Sequence, residues 1–234
     1  MILPQSIQIQ TIDYCNRKCV WCPNSKMTKK PNALMIESLF DKILEDLKSV
    51  NYKGAFHPYL MGEPLCDPRI YGFIRKIRDM FPFNEIMIST NGDYLKTEDD
   101  IQRLLDAGLT WMAVSHYDNS NDWLLELQDK YPNIIHTTIG QLRHTYYNRA
   151  GHIDVECITP LKKCDWVFNK AYINYKGDMI LCCSDYDYKV VFGNLKKQSF
   201  VDVYNSERYN DYRRFHSTGL GKIMELCYIC NRIR

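Results

Sequence analysis

Five strand-like apolar runs alternate with segments of helical periodicity in the first 139 residues, and no other feature narrows the possible folds as much. The runs cover residues 6–12, 55–61, 85–90, 111–115 and 133–139. Between the first two, Ile36, Leu39, Phe40, Ile43, Leu44, Leu47 and Val50 form one stripe, with Asp41, Lys42, Glu45, Asp46 and Lys48 between them. That is the pattern of a helix with one face on a sheet. Residues 68–80, 97–107 and 121–131 fit further helices, with Thr97 as an N-cap and Gly108 just past an end. Strand, helix, strand repetition predicts an α/β fold on a parallel sheet, because parallel neighbours need a crossover between them.

After Gly151 the character changes. Residues 171–173 and 179–182 read as two short strands around Tyr175-Lys176-Gly177-Asp178, a turn with a glycine free to take positive φ. A polar amphipathic segment follows over 199–216, then a tail ending in CYIC. The chain is expected to divide into a unit of residues 1–155 and a smaller one of 156–234, the latter too poor in apolar residues to stand without a metal or docking.

Cysteine is in excess, with 10 among 234 residues. A disulfide scaffold needs an export signal, and MILPQSIQIQ has no basic start, apolar stretch or cleavage site. A cytoplasmic chain with reduced thiols is expected, and clustered thiols there serve metals or redox chemistry. No window approaches the ~18 apolar residues of a membrane helix. The formal charge is +2 with no basic stripe, which argues against a zinc-stabilised binding module for nucleic acid. Neither a membrane nor a nucleic acid is an expected partner.

Cys15, Cys19 and Cys22 follow the first strand with the spacing C-x3-C-x2-C. Three thiolates leave a coordination position open, as in a metal site that takes a substrate or cofactor. Cysteine-only ligation suits an iron–sulfur cluster; a zinc site closed by Cys66 or a histidine is the alternative. Trp21, an aromatic just before the last cysteine, completes a motif that resembles the radical S-adenosylmethionine (SAM) superfamily. The resemblance implies a partial TIM barrel and a [4Fe–4S] cluster whose fourth iron is chelated by SAM. It also implies reductive cleavage of SAM to a 5′-deoxyadenosyl radical that takes a hydrogen atom from substrate. Trp21 would lie beside the adenine.

Parallel barrels carry their chemistry on loops at the carboxyl ends of the strands, and the remaining motifs fall there. Gly62-Glu63-Pro64 resembles the superfamily's GGEP motif, with Met61 in place of its first glycine, and would bind the methionyl ammonium. Ser89, Thr90 and Asn91 resemble the strand that meets the ribose, and Ser115 the position near ribose and carboxylate. Arg149, always protonated, suits a clamp on a carboxylate rather than a base. His116, Tyr117, Asp118 and His144 are possible proton acceptors, each with packing or loop chemistry as the simpler role.

Cys164 and Cys182 bracket Gly177 as C-x12-G-x4-C, and Cys227 and Cys230 follow. This set resembles the opening of a SPASM domain, shortened to a twitch domain, which implies one auxiliary [4Fe–4S] cluster with four protein ligands in a small hairpin-helix unit. A four-cysteine zinc site is the alternative, and Cys183 competes with Cys182. A fully ligated cluster has no open iron and suits electron transfer. A radical carbon bearing a hydroxyl would then lose a proton and an electron to give a ketone. A dehydrogenase acting on a small polar molecule, such as a sugar or cyclitol, is the expected function, with a flavodoxin or ferredoxin-type electron donor. Peptide maturation and sugar epimerisation are the alternatives within the superfamily. The absence of a leader-binding module counts against the first. Cys66, Cys157 and Cys183, left over from the ligand sets, keep the second open.

Overall fold

The computed structural model describes residues 1–28, 32–117, 122–139, 148–154 and 163–230. Its strands are β1 (Ser6–Ile9), β2 (Ala55–His57), β3 (Met87–Thr90), β4 (Trp111–His116), β5 (Ile135–Ile139), β6 (Lys170–Ile173), β7 (Asp178–Ile180) and β8 (Val191–Asn194). Its helices are α1 (Glu37–Ser49), α2 (Ile70–Met80), α3 (Glu98–Asp106), α4 (Trp123–Lys130), the single turn α5 (Trp166–Asn169), α6 (Phe200–Tyr204) and α7 (Glu207–Ser217). Among the described residues no helix is long and apolar enough to cross a membrane.

One sheet has the order β2-β1-β6-β7-β8 and the other β3-β4-β5. A parallel bridge between Phe56 and Ile86 joins them, with Phe56 N donating to Glu85 O at 2.8 Å. The wall therefore runs β6-β1-β2-β3-β4-β5, all parallel, as an open partial barrel that no pairing closes among the described residues. All five expected strands form, but the first two end early. β2 stops at His57 because Pro58 has no N–H to give the ladder. A sixth strand, which the family resemblance leads one to expect within 155–159, falls outside the described residues.

The hairpin assigned to the C-terminal unit is built onto the barrel itself. β6 pairs in parallel with β1, from Ser6 opposite Lys170 to Ile9 opposite Ile173, and then turns back into β7. Gly177 adopts φ 91° in that turn. The Asn174 side-chain oxygen accepts from Lys176 N and Asp178 N, both at 2.9 Å, and so fixes the turn. With β2 and β6 on its two edges and all four of its residues buried, β1 is the central strand of the molecule. β8 was not expected, since Val191-Phe192-Gly193-Asn194 holds two residues rare in strands.

Helix α1 buries Leu39, Phe40, Ile43, Leu44 and Leu47, whereas Ile36 falls at its N-cap and is 55% exposed. Thr97 forms the expected cap of α3, reciprocated by Asp100. The polar segment 199–216 is two helices, because Ser199 and Ser206 each cap a new start. Their inner faces are aromatic: Phe192 lies 4.2 Å from Tyr209 between ring centroids, and the Arg213 guanidinium sits 4.2 Å from the centroids of both Tyr204 and Tyr209. The aromatic rings among them join Ile7, Phe40 and Phe56 in one continuous core. Phe40, fully buried and 4.3 Å from Phe73 between centroids, anchors the helix layer. Phe40→Ala should cost about 3–5 kcal/mol in chemical denaturation, and a loss below about 1 kcal/mol would show that the layer repacks.

Candidate active site

The loops at the carboxyl ends of β1, β2 and β3 are tied together by one residue, through its carboxylate and its backbone N–H. Glu63 is 4% exposed. Its Oε1 accepts from Thr90 Oγ1 at 2.6 Å and Leu65 N at 3.1 Å, its Oε2 accepts from Asn91 N at 2.8 Å, and its own N–H donates to Tyr14 O at 2.8 Å. Burial pushes its pKa up to about 7, against the pull of those hydrogen bonds. Gly62 beside it admits no side chain, since a Cβ would come within 2.2 Å of Ile12 O and 2.8 Å of Tyr14 O. Pro64, buried, opens a short 3₁₀ turn. The Asn24 side-chain nitrogen donates to Met61 O, closing the other side of the same loop.

The cysteine loop is fastened to the end of β3. Asn91 Nδ2 donates to Asn16 Oδ1 at 2.9 Å and lies 3.8 Å from Cys15 Sγ, and Arg17 Nε donates to Asp93 Oδ2 at 2.7 Å. Burial pushes the Cys15 thiol up to about 12 and raises that of Cys19, with the neighbouring Cys22 adding to both. The thiolates that a metal needs are therefore disfavoured until a cation joins them. Tyr117 packs between Trp21, 5.5 Å away between centroids, and the Arg17 guanidinium at 5.4 Å, and it shares a hydrogen bond with Ser115. Ser89 is half-buried on β3, in register with Ala113. His116 is held elsewhere, its Nε2 lying 2.7 Å from Asp122 Oδ1. Asp118 and His144 lie outside the described residues.

Arg149, Ala150 and Gly151 take φ of 49°, 54° and 87° in succession. Left-handed backbone at two non-glycine residues costs about 1–3 kcal/mol each and is held here by docking on the CYIC tail. Asn148 Nδ2 donates to Ile229 O at 2.5 Å, and a Cβ on Gly151 would meet Ile229 Cδ1 at 2.8 Å. Beside this loop, Cys164, Cys182, Cys227 and Cys230 line one cavity of about 450 Å³, counted to its open mouth, together with Ala150. Burial raises the Cys182 and Cys227 thiols well above their usual value. Cys183 does not line this cavity and instead packs beside Tyr172 and Tyr186. The Tyr186 hydroxyl is 3.9 Å from Cys22 Sγ. Cys157 lies outside the described residues, and every described cysteine is a free thiol.

Residues 9–141 match the radical SAM superfamily along more than half of the chain. The chain belongs to the radical SAM superfamily. Residues 164–231 match the SPASM iron–sulfur cluster-binding domain. The S-adenosyl-L-methionine-dependent 2-deoxy-scyllo-inosamine dehydrogenase of Niallia circulans is 25% identical over 239 residues, spanning 97% of this chain and 92% of its own. The crystal structure of BtrN in complex with AdoMet and 2-DOIA superimposes with a TM-score of 0.88 at 25% identity, covering 100% of this chain and 95% of that one. The GTP 3′,8-cyclase of Nautilia profundicola is 30% identical over 116 residues, 47% of this chain and 34% of its own. The anSMEcpe structure with bound AdoMet shares the fold, with a TM-score of 0.64 at 13% identity over 97% of this chain and 89% of that one.

This radical SAM protein is thus a SAM-dependent iron–sulfur enzyme with two clusters, and its donor sets fit both. Three thiols on one loop leave a position open, and four thiols surround one cavity. Among the described residues no three thiol, imidazole or carboxylate groups converge on the radius of a single ion, a convergence that a cluster, whose ligands bind different irons, does not require.

Sequence reasoning missed a polar row inside the barrel. Gln8 of β1 is in register with His57 of β2 on one side and Tyr172 of β6 on the other. All three are buried, and Gln8 Oε1, His57 Nδ1 and Tyr172 OH have no hydrogen-bond partner among the described residues. Burial lowers the His57 pKa to about 4, so its imidazole is neutral. Their neighbours Ile7, Ile9, Phe56, Ala171 and Ile173 face the helix layer. The signal was the alternation in Ser6-Ile7-Gln8-Ile9-Gln10, whose polar members had to face an interior.

Gly62→Ala tests the loop junction. The clash with Ile12 O should remove about 2 kcal/mol, lowering Tm by roughly 4–8 °C, and cut iron retained per chain. An unchanged Tm would show that the loops relax without cost.

Proposed function

We propose that this enzyme oxidises a secondary alcohol of a small polyhydroxylated ring to a ketone, in the manner of the 2-deoxy-scyllo-inosamine dehydrogenase that it resembles. The observation that carries the reading is the path between the two thiol sets. Cys22 touches Tyr186, Arg149 acts electrostatically on Tyr186, and Ala150, next in the chain, lines the four-cysteine cavity. A substrate held at the Arg149 loop is then within reach of both redox sites.

In this reading Cys15, Cys19 and Cys22 hold the SAM-binding cluster, and Cys164, Cys182, Cys227 and Cys230 the auxiliary one. When bound, SAM and the two clusters supply a hydrogen-abstracting 5′-deoxyadenosyl radical and an acceptor for the substrate's second electron. Glu63 and the backbone at Gly62 and Pro64 face the methionyl ammonium; Trp21 lies along the adenine; Ser89, Thr90, Asn91 and Ser115 meet ribose and carboxylate. Arg149 clamps an anionic or hydroxyl oxygen, its guanidinium oriented by the strained backbone that Ile229 supports. Gln8, His57 and Tyr172 offer neutral hydrogen-bonding groups to hydroxyls in the barrel. Of the proton-acceptor candidates, Tyr117 faces Trp21, whereas the imidazole of His116 is engaged by Asp122. Residues 1–155, with β6 completing the wall, form the SAM unit, and the rest of 156–234 the auxiliary unit. A flavodoxin or ferredoxin-type donor supplies the first electron in a reducing compartment, the cytoplasm.

Epimerisation is the second reading, favoured by Cys183, whose thiol lies near Tyr172 and Tyr186 outside the four-cysteine set and suits a hydrogen-atom donor. Anaerobic turnover separates the two. Oxidation predicts about eight irons per chain, stoichiometric 5′-deoxyadenosine and a product two hydrogens lighter. A product of unchanged mass carrying solvent deuterium would overturn oxidation in favour of epimerisation.

Glu63 makes SAM binding sensitive to pH. Without a cation its carboxyl protonates below about pH 7, because burial favours the neutral form, while an ammonium partner favours the carboxylate. SAM affinity should therefore be level above pH 7 and weaken towards about tenfold per unit below it. Equilibrium binding to the cluster-loaded protein between pH 8 and 6 reads this, and a flat profile would remove the ammonium from Glu63.

A further inference from the structure

The four-cysteine cavity has one more polar wall. His216, on the last turn of α7, lines it together with Trp166. The imidazole is 1% exposed, and neither Nδ1 nor Nε2 has a hydrogen-bond partner among the described residues. Buried polar atoms are nearly always satisfied, so this ring belongs with something that the cavity holds. Gly221 sits against the Nδ1–Cε1 side of the ring, where an added Cβ would come within 2.1 Å of Nδ1. The ring is fixed in place, since Tyr209 and Tyr212 on the same helix are buried against Phe192. Among the described residues the other lining side chains are thiols and apolar groups, so there His216 and Trp166 bring the side-chain N–H groups to this wall.

We propose that His216 donates a hydrogen bond from Nε2 to a sulfur of the auxiliary cluster and so raises that cluster's reduction potential. A donor to a cluster sulfur stabilises the reduced, more negative state, and hydrogen bonds to sulfur are among the levers that set these potentials. The step it would govern is the last one in the proposed oxidation, in which the substrate radical gives up its hydroxyl proton to solvent water and one electron to the auxiliary cluster, leaving the ketone. His216 is a positioning residue, because it acts through the cluster and touches no substrate atom. The inference rests on the assignment of Cys164, Cys182, Cys227 and Cys230 as the cluster's ligands.

The test is a potentiometric titration, followed by EPR, of the full-length protein loaded anaerobically with iron and sulfide, as wild type, His216→Leu and His216→Gln. In His216→Leu the auxiliary couple should become harder to reduce by at least tenfold, 59 mV for one electron, with the iron count and the SAM-binding cluster's potential unchanged. His216→Gln keeps an N–H and should recover at least half of that shift. An exchangeable deuteron coupled to the auxiliary cluster should be present in wild type and absent in His216→Leu. An unshifted auxiliary potential in His216→Leu overturns the proposal. So does loss of the auxiliary iron in both variants, or the strong nitrogen coupling of a bound imidazole in wild type, either of which makes His216 a ligand. Wild type that retains only one cluster's iron would instead overturn the ligand assignment beneath it.

Discussion

One buried carboxylate organises the reactive end of this barrel. Glu63 gathers hydrogen bonds from the ends of β2 and β3 while its backbone holds the loop that follows β1. Loops at a strand end have no ladder to hold them, so their mutual placement depends on side chains such as this one. From Asn91 the connection passes to Asn16 and from Asp93 to Arg17, and in this way the cysteine loop inherits the rigidity of the sheet. Burying a carboxyl costs solvation, and here several donors offset that cost. The result is a group poised between its protonation states, which suits a site that receives a cation.

The molecule's second organising feature is that both thiol sets grow from one sheet. β1 leads into the first set, and β6, its parallel neighbour, leads through the β6–β7 hairpin to Cys182 in the second. The strained Arg149 loop lies against the tail that carries Cys227 and Cys230. An oxidation that uses both a radical source and an electron acceptor needs the two sites held in fixed relation, and neighbouring strands of one sheet hold both thiol sets without a flexible linker.

Local features were legible in the sequence because each is encoded within a few residues. The stripe from Leu39 to Leu47, the Thr97 cap and the Gly177 turn are of this kind, and all three formed as expected. The four cysteines around one cavity were also readable, since Gly177 turns a hairpin that returns Cys182 towards Cys164. What stayed hidden depends on pairing between distant segments. Gln8, His57 and Tyr172 form a row only once β1 is in register with strands on both sides. His216 looked like one more polar residue in a polar segment, since helical periodicity says which face is inward but not what the inward face meets. Tyr204 and Tyr209, from that same polar segment, are fully buried in the core.

The pairing of β1 with β6 also bears on how the enzyme is made. A strand near the N-terminus waits for a partner that is synthesised more than 160 residues later, from Ser6 to Lys170, and contacts of such sequence separation form late. Until then one edge of β1 is open and the loop that follows it lacks Tyr186 as a neighbour. The loop of Cys15, Cys19 and Cys22 therefore follows a central strand that stays half-paired until β6 arrives, so the mature arrangement of both thiol sets is a property of the finished polypeptide.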